Sequence, residues 1–169
     1  MSFFEDRMKI FTKEQIENMR RDFDENNYEL NTGKIKDISF NYFILPQELN
    51  PELSNFVFRM TGETIFDGEI FGVSNSIKPN FRLFAVYHEV FEFRQFPRTE
   101  LNRCGIALQA EIEAVPREQK EFKIEYLKMR KRFFMDLINY GKKCGEYYTE
   151  NDINQWACNV RRLDELLRA

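Results

Sequence analysis

Several things are scarce in this chain of 169 residues. It has no run of 18 consecutive apolar residues, so no membrane-spanning helix is expected. The first residues, MSFFEDRMKIFTKEQ, lack the apolar core of a signal peptide. Only three cysteines occur, Cys104, Cys144 and Cys158. They are odd in number, widely spaced and form no CxxC pair. That pattern argues against a cysteine zinc knuckle and predicts reduced thiols in a cytoplasm. Glycine and proline number 7 and 5, too few for low-complexity linkers. Residues 1–169 therefore read as a single domain, long enough to bury a core. Positive charge is not in excess: the net charge is -3 and the pI about 5.4. A nucleic-acid partner would need a basic surface, so none is expected. The short run Arg130-Lys131-Arg132 reads as a solvated helix face. No glycine-rich phosphate loop occurs, and no motif supports a serine nucleophile. Histidine is scarcest of all, with His88 alone.

Aromatic residues, by contrast, are plentiful: 18 Phe, 7 Tyr and 1 Trp. With 43% hydrophobic and 31% charged residues, the composition is that of an ordinary globular protein. The first half carries strand signals. Residues 34–45, KIKDISFNYFIL, alternate in their second half. Residues 54–60 are ambiguous between helix and strand, and residues 64–73 read as one or two short strands. DENNYELNTGK before them reads as a break. The second half is helical. Asn80 is a candidate N-cap for a helix over 81–96 stopped by Pro97. Thr99 would cap a helix over 100–115, and Pro116 would close it. A third helix spans 117–140 with Gly141 as its stop, and Thr149 caps a last one over 150–168. Near the start, Thr12 and Gln15 form a capping box for one more helix. Strands first and helices after give an α+β fold, a small mixed sheet packed on a helical second half.

The stretch Phe81 to Phe96, FRLFAVYHEVFEFRQF, is apolar on every side yet carries His88, Glu89 and Glu92. A helix apolar all round is a buried one, and ionisable groups inside it need partners. His88 and Glu92 are four apart and share a face, so both can grip one ion. On the next helix, Glu111 lies within the stripe Cys104, Ala107, Leu108, Ala114 and Val115. One ion held by His88, Glu92 and Glu111 would account for all three burials. Two alternatives stand beside this. His88 can be a core histidine bonded to Glu111 or to a backbone carbonyl without any ion. Glu89 can pair with Arg82, Arg94 or Arg103, and Glu92 can sit exposed at a helix edge. Cys104, about two turns before Glu111, reads as core packing rather than a soft ligand.

The order EIFGVSNSI, then AVYHEVFEF, then LQAEIEAV resembles the core of a zincin metallopeptidase of the glutamate type, over roughly residues 64–115. In that family the active-site helix carries HExxH, and a following helix supplies a glutamate as third ligand. An edge strand before the active-site helix aligns a peptide substrate. The resemblance implies His88 and Glu111 as metal ligands and Glu89 as the general base. Residues 69–73 would be the edge strand. The second histidine of the motif is replaced by Glu92. One nitrogen with two carboxylates is a harder site than the usual zinc site, and favours zinc less relative to other divalent transition metals such as manganese or iron. The expected function is a metal-dependent peptidase or hydrolase acting on a peptide or protein. The alternative is an inactive zincin-like module that binds a partner.

Overall fold

The computed structural model describes residues 10–95, 101–144 and 148–169. The chain opens on helix α1, Lys13–Glu25, closed at its start by the reciprocal Thr12–Gln15 capping box the sequence predicts. Four strands follow: β1 Leu30–Ile35, β2 Ile38–Leu45, β3 Val57–Thr61 and β4 Glu69–Ser74. They form one mixed sheet in the order β1-β2-β4-β3. β1 and β3 run antiparallel to their neighbours, and β2 and β4 are parallel. The second half is helical, with α2 Pro79–Gln95, α3 Arg103–Ala114, α4 Lys120–Lys143 and α5 Glu150–Arg168. The α+β architecture expected from the sequence is the one observed.

Three local readings change. The expected break over residues 24–34 contains β1, paired with β2 from Leu30↔Phe43 to Ile35↔Ile38. Asn, Gly and Lys are poor strand formers, but a partner strand outweighs propensity. Gly33 lets α2 approach closely: a Cβ there would lie 2.5 Å from Leu83 Cδ1, and that side chain would have to shift. Residues 69–73 do not form an edge strand. β4 lies between β2 and β3, and the edge beside it is β3. Helix α2 starts at Pro79, whose fixed φ suits a first helical position, so Asn80 is inside it. Phe96, Pro97 and Thr99 lie outside the described residues.

Helix α2 is apolar all round because it is covered all round. Tyr87 stacks on Phe40 of β2, with ring centroids 6.3 Å apart. On the helical side Phe81 meets Tyr126 of α4 edge-on at 5.4 Å. Helices α4 and α5 pack side by side. Gly141 is buried within α4 and does not stop it; a Cβ there would meet Trp156 Cζ3 at 2.7 Å. Thr149 caps α5 as expected, through Asp152. The layered result places the middle of α2 at the centre of the molecule, between the sheet and helices α3 to α5.

Candidate metal centre

The centre is built around one imidazole. His88 is 1% exposed, and Glu92 and Glu111 are 4% and 0% exposed. Glu111 Oε2 lies 3.0 Å from His88 Nδ1. On the far side of the ring, Nε2 is 3.4 Å from Glu92 Oε2 and 3.5 Å from Cys104 Sγ. His88, Glu92 and Glu111 are thus gathered around one ring as the sequence suggests, but on different nitrogens. The donors that converge on a single point are His88 Nε2, Glu92 and Cys104, all within 4.8 Å of one another. Helical periodicity put Cys104 and Glu111 on one stripe of α3, and both do face α2. Which ring nitrogen each would meet depends on the crossing of the two helices, and no local pattern encodes that.

Glu111 is saturated behind the ring. It accepts from the Tyr126 hydroxyl, pairs with Arg130 Nε at 2.6 Å and takes a longer bond from a second Arg130 nitrogen at 3.4 Å. Burial alone would raise its carboxyl pKa; the Arg130 charge, with His88 and Tyr126, outweighs that and holds it below the usual range. Burial likewise opposes charge on His88. Cys104 and the carboxylates of Glu111 and Glu92 reverse the effect and hold the imidazole well above its usual value. Burial and the Glu92 charge push the Cys104 thiol up. Burial and Glu111 push the Tyr126 phenol well up. With Nδ1–H donated to Glu111, the lone pair of a neutral His88 sits on Nε2, facing Glu92 and Cys104.

The other two carboxylates also have buried arginines. Glu92 Oε1 is 3.1 Å from Arg103 Nε, and Glu89 Oε2 is 3.3 Å from Arg59 Nε. Glu92 is therefore buried rather than exposed at a helix edge. Glu89 pairs with Arg59 of β3 and not with the expected candidates. Arg82 instead donates to the Ile77 and Asn75 carbonyls, and Arg94 binds Glu69. Arg59 and Arg103 both lie over the Phe93 ring, with guanidinium carbons 3.5 and 4.8 Å from its centroid. Arg130, read from sequence as part of a solvated run, is 1% exposed. Its neighbours Lys131 and Arg132 pair with Asp164 and Asp136 nearer the surface.

Glu89, His88 and Cys104 share the wall of a cavity of about 70 Å3. Its remaining walls are largely apolar, including Phe56, Phe58, Phe134 and Trp156. A water needs roughly 10–15 Å3 of such space, so several fit beside the polar wall. The sequence missed Arg59, Tyr126, Arg130 and Asn159 as parts of this centre, and offered Arg103 to Glu89 where it pairs with Glu92. The one available signal was Arg130, on the same helical face as Tyr126, four residues before it. Comparison with family models, with curated proteins and with solved structures gives no match to this chain. Among the described residues, no helix is long and apolar enough to cross a membrane.

Proposed function

We propose that this chain is a metal-dependent hydrolase with a zincin-like core, its ion held by His88 Nε2, Glu92 and Cys104. The observation that carries the reading is the two-sided imidazole: Nδ1 is fixed by Glu111, and Nε2 faces two further donors. Zinc ligands about 2.0–2.3 Å from one ion at tetrahedral angles lie roughly 3.3–3.6 Å apart. The separations from Nε2, 3.4 and 3.5 Å, match that spacing. Glu111 becomes the carboxylate that orients the ligating histidine, in place of the third ligand. Exchanging a carboxylate for a thiolate makes the donor set softer and moves its preference toward zinc, cobalt or iron.

A divalent ion there would supply Lewis-acid polarisation and a lowered pKa for bound water. The chain's own residues do the rest. Glu89 is the proton acceptor on the cavity wall, anchored by Arg59. Arg103 holds the second oxygen of Glu92, which leaves the first for His88. The aromatic walls exclude bulk water. Residues of β3 line the same cavity, so β3 is the strand that would align a peptide substrate, one strand earlier than the sequence suggested. A thiolate ligand suits a reducing compartment, in keeping with the cytoplasmic expectation.

Elemental analysis of protein purified without a histidine tag tests this. About one transition-metal ion per chain is expected. No metal on purification, and none taken up on reconstitution, defeats the reading. Glu89→Gln should remove hydrolysis of a peptide library while metal content stays unchanged. A second reading, an inactive module of the same fold, is favoured by one observation: each buried carboxylate already has its own arginine. That version expects a melting temperature indifferent to chelator.

A further inference from the structure

Helix α5 lies outside the span that resembles a zincin, yet it reaches the candidate centre twice. Gln155 Oε1 accepts the backbone N–H of Cys104 at 3.2 Å. Asn159 Nδ2 donates to Cys104 Sγ at 3.3 Å. The two side chains are four apart on α5 and so share a face. Cys104 is the second residue of α3, where a backbone N–H has no partner within its own helix. Gln155 supplies that partner and fixes the position of the Cys104 backbone. Asn159 then acts on the sulfur itself.

Asn159 is 2% exposed. A buried amide needs a good hydrogen-bond partner, and burying it without one is costly. A neutral thiol is a weak acceptor. A charged sulfur is a far better one, because bonds to ions are roughly twice as strong as neutral ones. The Asn159 bond to Cys104 Sγ would therefore strengthen if the sulfur became a negatively charged metal ligand. The bond would also hold Sγ toward His88 Nε2, which lies 3.5 Å away.

We propose that Asn159 is a positioning residue for the Cys104 thiolate: its amide orients the sulfur as a metal ligand and partly offsets its charge. This rests on the metal reading given above. No pattern in the sequence marks Asn159, since it sits among other asparagines on the same helix, Asn151 and Asn154.

The test uses the full chain loaded with Co2+, whose sulfur-to-cobalt charge-transfer absorption reports on the thiolate. Wild type should bind one Co2+ and show the band. Asn159→Leu removes the donor while keeping bulk, and should shift the band and weaken Co2+ binding by about 10–100-fold, the usual cost of losing an outer-shell partner. Asn159→Asp keeps the shape without the N–H donors and sets a carboxylate against the thiolate, so its loss should be larger. If both variants fold and bind within twofold of wild type with an unmoved band, the proposal fails while the metal reading stands. If wild type binds no Co2+, both fail. Loss of folding in both variants would show a packing role only and would also overturn it.

Discussion

Removing Arg130 offers the sharpest test of how the centre is held together. Arg130→Met keeps an unbranched side chain of similar reach but deletes the buried guanidinium. Glu111, fully buried, would then keep only the Tyr126 hydroxyl and His88 as donors. Breaking a buried pair from one side costs about 3–5 kcal/mol. Glu111→Gln, which strands Arg130 instead, should cost a similar amount. The double variant removes both charges, so the penalties should not add. A coupling of about 2–3 kcal/mol is expected, at the upper end for residues in direct contact. Urea unfolding followed by Trp156 fluorescence reads this out, because Trp156 is the chain's single tryptophan and is buried. With a slope near 2 kcal/mol per M, each single variant should lower the midpoint by about 2 M. The double variant should lie well above the additive expectation. Penalties that add to within about 0.5 kcal/mol would refute the claim that Glu111 and Arg130 act as one unit.

Metal affinity should fall as pH falls. Cys104 and His88 both hold their protons more tightly than free side chains do, and an ion must displace those protons; Co2+ titrations at several pH values check this, and a flat response would contradict it. Gly141→Ala should destabilise by about 1–3 kcal/mol, because the Cβ-to-Trp156 clash exceeds the roughly 1 kcal/mol of helix propensity gained; thermal melting decides the sign. Lys36, exposed in the two-residue loop between β1 and β2, has φ 54°. Lys36→Gly should stabilise by about 1 kcal/mol and raise the melting temperature by about 2–4 °C; a lower melting temperature would count against strain there.

The sequence carried the helices better than the sheet, for a physical reason. The N-caps at Thr12 and Thr149 are local, and each forms as the sequence predicts. β1 has almost no local signal, because its residues are ordered by β2 across the hairpin. Gly141 shows the converse failure. A glycine near the end of a helical stretch commonly marks its stop, but here Trp156, fifteen residues later, dictates the need for a missing Cβ. The position of β4 inside the sheet was illegible for the same cause. Strand order is set by pairing among segments, and β3 pairs on the outer side of β4.

At the centre, one class of fact was legible and another was not. Ionisable residues in an apolar helix demanded partners, and His88, Glu92 and Glu111 do meet. The partners' identities came from separate elements: Arg59 from β3, Arg103 from α3, Arg130 from α4. Nothing within α2 specifies them. Their placement divides the centre in two. Behind Nδ1, Glu111 is enclosed by three groups that donate to it, so changes to Glu111, Arg130 or Tyr126 act on stability first. In front of Nε2, Cys104 and Glu89 border the cavity while Glu92 faces the ring nitrogen, so on the proposed metal reading changes there would act on ion binding. If the cluster is only structural, mutation should not separate the two sides. Substitutions on the two sides of the His88 ring would then lower stability alike and leave ion binding untouched.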